Sequence, residues 1–589
     1  MPAAVYNRSV TVPRVALLVT LCALTFFVGL GRPAIMDSDE AFYAEAAQEM
    51  VEGGGWVTPL YNGEFRFEKP VLYYWLAALA YLVAGVGESA ARFPSALAGL
   101  VLVITTFACA RRWHGEPTAL LAGAITATSF GYVAVARQAL PDLLLACFVT
   151  LGTWAALVAL VECGAGARAS KRWWLLGAGF ALAGAFLTKG PIGIALPVMV
   201  VGPLAFFRVW SLRTTPSFRQ ELLRLFADVA FLTGVFLLLA VPWFAVMTTV
   251  HGAGYLDRFF IGENLQRFAT ARYNDPRPVW YYLPIVVAGL LPWSPFMLLW
   301  CRPLLHLGRK LQQIQPANVW LAVWAAVPVL FFSISIGKQP RYILPVLPPL
   351  AIFLAFSIAR RLWFVGDVPP PRRDRVITVA SVVSGAVLCV FGALVYRAQS
   401  LLPDGSSVAL LLGVVGLMGS GVVVMFVGIV WRKFIPVALV LAAVVSVLSV
   451  QYAVLSRAGP EPVEVLAALI REAKPAGMPY GRYRVFVRNL VFYTGRPHVE
   501  LSSIEQVVSF LRSSEPVLGV IDQDDLVQIR TSGVAVYELG RVSYLNTGNL
   551  NLGTLVRPNP DDDLRTVILV SNQPSASGAD LLREPSDAD

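Results

Sequence analysis

Two short clusters, Asp37-Ser38-Asp39-Glu40 and Phe67-Glu68-Lys69-Pro70, set carboxylates and an amine beside the first long apolar run of this chain. Charged groups at a bilayer surface are costly to desolvate, so they point to a site rather than to packing. More ionisable groups follow at the ends of later apolar runs. Arg137 and Asp142 flank Pro141, Lys189-Gly190-Pro191 reads as a tight turn, and Asp257, Arg258, Glu263, Arg267, Arg272 and Arg277 share one loop. Lys338, Arg341 and Tyr342 open another run. So many cations where topology disfavours them imply an anionic partner. A phosphorylated lipid is the simplest, because basic pockets between helices bind such head groups and Arg forks match phosphate oxygens.

Each group has a plainer reading. Asp37 and Asp142 suit helix caps, Lys69 a local salt bridge with Glu68, and Lys338 and Arg341 interface anchors. Asp257 and Glu263 suit solvated loop charges, and His251 and His498 read as surface residues without ligand spacing. Asp39 and Glu40 stand between a helix start and chemistry.

The elements that must position these groups are membrane spans. The chain has 589 residues, 57% of them hydrophobic, and a mean hydropathy of +0.64. Apolar runs matching the bilayer thickness recur near 15–31, 92–110, 118–136, 142–162, 173–188, 191–207, 227–249, 279–300, 319–336, 342–359, 376–396, 407–431 and 434–453, roughly thirteen crossings. The net charge of +10 comes from short basic loops, such as Arg111/Arg112, Arg208/Arg213/Arg219/Arg224, Arg302/Arg309/Lys310 and Arg360/Arg361/Arg372/Arg373/Arg375. This is the positive-inside pattern, and it argues against a nucleic-acid partner. The apolar run 70–87 is long enough to span, but crossing there would turn every later basic loop outward. It therefore reads as a helix in the outer interface, within a first outer loop at 32–91. The six cysteines lie in or beside apolar runs without a metal-binding or disulfide spacing.

An odd number of crossings places the chain after 456 outside. Residues 457–572 read as a small α/β domain: helices at 461–473 and after a Ser502-x-x-Glu505 capping box, and strands at 483–493, 516–521, 534–539 and 565–570. The tail 573–589 reads as disordered. The fold class is a polytopic α-helical membrane protein with a small C-terminal α/β extracytoplasmic domain.

The same residues carry a family resemblance. DSDEAFYAEAAQEM, GWVTPLYNGEFRFEKPVLYYWLAALAY and ARFPSALAGL, followed by ARQALPD, FLTKGPIGIALP, FFIGENLQRF and GKQPRYILPVLPPLAIFLA, resemble the membrane glycosyltransferases related to aminoarabinose transferase and protein O-mannosyltransferases. Phe42 and Asn264 stand where that family's motifs carry Arg and His. The resemblance implies a GT-C fold in the bacterial cytoplasmic (inner) membrane. It implies transfer of a sugar from a polyprenyl-phosphate donor to a lipid (lipid A-like) or glycan acceptor on the outer face, with inversion. By motif it implies Asp39, Glu40 and Asp142 as catalytic acids. Lys69, Arg267, Lys338, Arg341 and Tyr342 would lie at the donor phosphate, and Tyr43, Glu68 and Lys189 at the substrate. No cofactor is certain; a divalent metal, with Glu68 or Glu263 as a ligand, is left open. Two rivals remain: transfer to protein Ser/Thr, and a sugar-lipid transporter in which the charges bind without reacting.

Overall fold

The computed structural model describes residues 8–163, 168–270, 276–300, 315–363, 374–402, 407–456, 459–473, 478–486, 488–495, 497–545 and 552–574. Cys301, Arg272, the basic groups at 302–310 and 372–373, and the tail beyond 574 lie outside the described residues.

Among the described residues nine helices are long and apolar enough to cross a membrane, or up to eleven if two bent pairs count as spans. The bends fall at 116–136 (56°) and 282–300 (112°). Two further helical segments expected to cross, Val12–Phe27 and Arg168–Lys189, are outside that count. The expected thirteen crossings thus correspond to helices, of which nine to eleven have the dimensions of a span. Close crossings use glycine: a Cβ on Gly385 would clash with the Gly421 carbonyl oxygen of the next helix, so only glycine fits there.

The run 70–87 forms the helix Leu72–Ala84. Its 13 residues rise about 20 Å, short of the roughly 30 Å hydrocarbon layer. It packs against the helix Asp39–Gly53, where Tyr43 stacks on Tyr74 with ring centroids 5.3 Å apart. Ser38 caps that helix by accepting a hydrogen bond from the Glu40 amide at 3.3 Å. Asp39 and Glu40 complement its dipole in the first turn, and Gly54, at φ +68°, ends it in the left-handed conformation. A small hairpin, β1 (Leu60–Tyr61) and β2 (Glu64–Phe65), turns the chain toward Lys69.

The C-terminal α/β domain is a five-stranded sheet of β3 (Tyr480–Tyr483), β4 (Val499–Leu501), β5 (Leu518–Asp522), β6 (Tyr537–Leu545) and β7 (Leu564–Ser571), in the order β4-β3-β5-β7-β6. β4-β3-β5 are parallel, and β7 runs antiparallel to both β5 and β6. The strand expected at 483–493 is overturned. β3 ends at Tyr483, Arg484 and Phe486 take positive φ (62° and 42°), and Leu490–Thr494 is helical. The alternation yields because this segment turns back to dock on the first loop. The N-cap also moves by one residue: Ser503, not Ser502, caps Ile504–Leu511.

That docking is dense. Asn489 Nδ2 donates to the Ile35 carbonyl at 2.9 Å, and the Ile35 amide donates to the Tyr493 hydroxyl at 2.7 Å. Asn62 exchanges two hydrogen bonds with the His498 backbone, at 3.1 and 2.9 Å. Ala34 enters the domain's own apolar core. His498 is not a surface residue. It is 6% exposed and accepts from Arg482 Nε at 2.7 Å. Burial first, then the Arg482 charge, drive its pKa down to about 3, so the ring is neutral.

Candidate functional site

Asp39, Asp142, Lys189 and Arg341 come from four separate elements and meet. Pro141 occupies the first turn of the helix Pro141–Ala156, where its missing N–H costs nothing, and sets Asp142 immediately after it. Lys189 ends the helix Arg168–Lys189, where a cation suits the dipole. Gly190 then turns the chain at φ +75°, and a Cβ there would meet the Phe259 ring at 2.7 Å. Arg341 lies in the 3₁₀ turn Pro340–Val346. Its Nη2 donates to Asp39 Oδ2, and its Nε lies 3.3 Å from Asp142 Oδ2. Lys189 donates to Asp142 Oδ1 and sets its ammonium 4.7 Å from the Tyr342 ring centroid.

A second layer of charge adjoins this one. Arg267 Nη2 bonds Glu263 Oε2 at 2.9 Å, and its guanidinium also meets the Tyr342 hydroxyl. Lys69 donates to the Glu68 carbonyl at 2.8 Å and feels the charges of Arg267, Lys189 and Glu263. Lys69, Lys189, Arg267 and Arg341 set four basic groups against three carboxylates, Asp39, Asp142 and Glu263, a surplus of one positive charge whenever Lys69 is protonated. The surplus registers on Lys69. Burial first, then the neighbouring Arg267 and Lys189, lower its pKa to about 7. For Asp39, burial alone would raise the pKa, but the Arg341 charge and hydrogen bond, followed by Arg488, hold the carboxyl below its ordinary range.

The wall beside Asp39 is aromatic. Tyr43 and Tyr74 stack, and Arg66 places its guanidinium 4.0 Å from the Phe42 centroid while donating to the Tyr74 hydroxyl at 3.0 Å. Glu68 faces Arg66 at 3.6 Å. His251 is held by Thr58 at 2.7 Å between the Phe65 and Phe67 rings, which explains its place without chemistry.

Two expected site residues are directed elsewhere. Glu40 turns away from Asp39 and is fully buried. Its Oε1 accepts from Arg92 Nε (2.7 Å) and the Ala139 amide (2.9 Å); its Oε2 accepts from Arg92 Nη2 (3.2 Å) and the Met36 amide (3.1 Å). Arg92 spends its remaining donors on the carbonyls of Leu30, Pro33 and Ala34. A carboxylate offers about four acceptor positions and a guanidinium five donors, and all are filled. Lys338, 6% exposed, donates to the backbone carbonyls of Arg277 and Ser335 rather than into the charge cluster. Asp37 is not the helix cap but accepts from the Arg488 amide at 2.6 Å.

Arg92 and Arg488 were not singled out from sequence. Arg92 stands in the ARFPS motif, an arginine at the head of an apolar run, which is a signal for a buried pair. Nothing local marks Arg488. Among the described residues no three His, Cys, Asp or Glu side chains gather as a metal would require, and Glu68 and Glu263 lie against Arg66 and Arg267.

The helical body carrying this charge cluster, with its C-terminal α/β domain, has the GT-C fold, and its described residues include nine to eleven helices long and apolar enough to cross a membrane. Over 97% of this chain and 99% of the other, it superposes on the ArnT crystal structure from Cupriavidus metallidurans bound to undecaprenyl phosphate, with TM-score 0.70 and 22% identity. The archaeal oligosaccharyltransferase AglB from Archaeoglobus fulgidus matches at TM-score 0.50 and 12% identity, over 87% of this chain and 70% of that one. A family model described as dolichyl-phosphate-mannose-protein mannosyltransferase matches residues 16–251. The undecaprenyl phosphate-alpha-4-amino-4-deoxy-L-arabinose arabinosyl transferase of Pseudomonas paraeruginosa is 35% identical over 350 residues, 59% of this chain. The chain spans about 60% of the length of that curated relative. The resemblance read from the sequence motifs is borne out.

Proposed function

We propose that this protein transfers a sugar from a polyprenyl-phosphate carrier to a lipid or glycan acceptor at the extracytoplasmic face of the membrane. The observation that carries this reading is the surplus of positive charge at Lys69 and Arg267, next to two carboxylates tied by Arg341. Lys69 and Arg267, with Tyr342, bind the carrier phosphate. Lys189 and Arg341 pair with Asp142, and Arg341 holds Asp39 ionised, at the sugar. The acceptor oxygen attacks the anomeric carbon as its bond to the carrier phosphate breaks. The electron pair leaves with that phosphate, whose added negative charge the fixed cations stabilise. Positioning of the two reactants supplies much of the remaining barrier reduction.

Asp39 is a weak base, since a general base works best with a pKa near the operating pH and Arg341 holds this one low. Its task is to orient Arg341 and the sugar, which suits an acceptor that is already ionised. Glu40 takes no part in the reaction; it and Arg92 fix the loop that carries Asp39. Lys338 likewise buttresses its loop. The family match at 16–251, described by a protein acceptor, favours transfer to a protein hydroxyl as the second reading.

The test is incubation of the purified protein with a labelled sugar on undecaprenyl phosphate and an envelope lipid extract. Label moving to a new lipid is the expected result. Label on polypeptide supports the second reading, and label remaining on the carrier overturns both.

A further inference from the structure

From the C-terminal domain, Arg488 comes within electrostatic reach of the charge cluster at Asp39. Arg488 is anchored by its backbone: its amide donates to Asp37 Oδ1 at 2.6 Å, and its carbonyl accepts from the Tyr61 hydroxyl at 3.1 Å. Just before it, Arg484 and Phe486 hold positive φ. Such conformations are unfavourable for residues other than glycine and persist where the surroundings impose them. The strained turn delivers the Arg488 guanidinium to the Phe42 ring, 5.3 Å from its centroid, across the helix turn that bears Asp39. Its charge is felt at the Asp39 carboxylate, second only to that of Arg341.

The two guanidiniums on Phe42 differ in what else they do. Arg66 is spent on the Tyr74 hydroxyl and on Glu68. The Arg488 guanidinium, among the described residues, makes no hydrogen bond or ion pair; its contact is the ring. A guanidinium whose donors are unused among the described residues, within electrostatic reach of an ionised aspartate, is a preformed anion contact.

We infer that Arg488 is the acceptor-binding residue of this protein: the C-terminal domain completes the site by placing a cation for a phosphate group on the incoming acceptor. This rests on the transferase reading above and adds the role of the domain. Without such a cation, an anionic acceptor would approach Asp39 against its charge. With it, Arg488 and Arg341 flank the carboxylate, one toward each substrate.

The experiment uses the full-length protein in detergent, with binding followed by intrinsic tryptophan fluorescence. Undecaprenyl phosphate is titrated first. Dioctanoyl phosphatidic acid is then titrated with undecaprenyl phosphate saturating, and dioctanoylglycerol serves as the phosphate-free control. In Arg488→Gln the backbone anchors remain. Phosphatidic acid affinity is expected to fall about tenfold or more, as for loss of a charged hydrogen bond. Undecaprenyl phosphate affinity and melting temperature stay unchanged, and Arg488→Lys recovers part of the loss. The inference is overturned if phosphatidic acid binds no better than dioctanoylglycerol, or if Arg488→Gln leaves its affinity intact. It is equally overturned if undecaprenyl phosphate weakens as much, or if both fall together with the melting temperature, as for a mere staple between domains. A wild type that binds both lipids but moves no label would defeat the transferase reading alone.

Discussion

Asp39 and Glu40 are neighbours on one helical turn, yet they serve opposite ends. About 100° of helical rotation separates them. Glu40 enters a closed knot with Arg92 in which every donor and acceptor is used and both side chains are at most 1% exposed. Asp39 enters an open network, 37% exposed on its side chain, that shares Arg341 with Asp142 and adjoins cations in excess. A saturated buried pair can hold chain segments together but has nothing to offer a ligand. An unsaturated one retains both a net charge and free bonding capacity. The contrast separates scaffold from site where spacing could not.

The sharpest way to break this contrast is Arg92→Met. Removing one partner of a buried pair costs about 3–5 kcal/mol, a large share of the 5–15 kcal/mol by which proteins are stable. Little monodisperse protein is expected on size exclusion. Adding Glu40→Leu should not rescue it. The pair also serves the amides of Met36 and Ala139 and three carbonyls, which would lose their partners. A double variant melting like wild type would show that the knot is not what fixes the loop.

Next in size is Asp39→Asn. The group is partly exposed, so the protein should elute and melt as wild type does, while transfer falls by about a hundredfold or more, within the range for mispositioned catalytic groups. Turnover above about a tenth of wild type would place the reaction away from Asp39. Opposite outcomes for residues 39 and 40, activity without stability and stability first, are what the comparison requires.

Much of this was legible beforehand. Thirteen apolar runs gave the helices, because hydrocarbon leaves the backbone few alternatives. Polar residues at the ends of those runs gave Asp39, Asp142, Lys69, Lys189, Arg267 and Arg341. What was not legible was direction. Whether Glu40 or Asp39 faces the cluster depends on Arg92, 52 positions away, and the reach of Lys338 ends on carbonyls that no spacing reveals. In the C-terminal domain, the alternation in YRVFVRNLVFY imitates a strand, but docking onto Ile35, Asp37 and Tyr61 bends the chain after Tyr483. Tertiary contacts override a local pattern there, and Arg488 was hidden in that override.

The smallest expected effect sharpens the open side of the comparison. The Lys69 pKa is lowered to about 7, because burial and neighbouring cations disfavour its charge. An unfolded lysine titrates near 10.4, so the sign for stability is fixed. The folded state binds fewer protons between about pH 7 and 10, and the unliganded protein gains stability as pH rises through that window. Ligand affinity runs the other way. A bound phosphate favours the charged amine, so binding above pH 7 must take up a proton, and affinity for undecaprenyl phosphate should fall by up to about tenfold per pH unit. Titrations from pH 6 to 9, repeated with Lys69→Met to remove the contribution of the phosphate's own ionisation, isolate this slope. The variant should bind more weakly at pH 6 and differ little from wild type at pH 9. Parallel curves for the two proteins would mean that Lys69 is not at the phosphate, and that the surplus charge of the network serves some other anion.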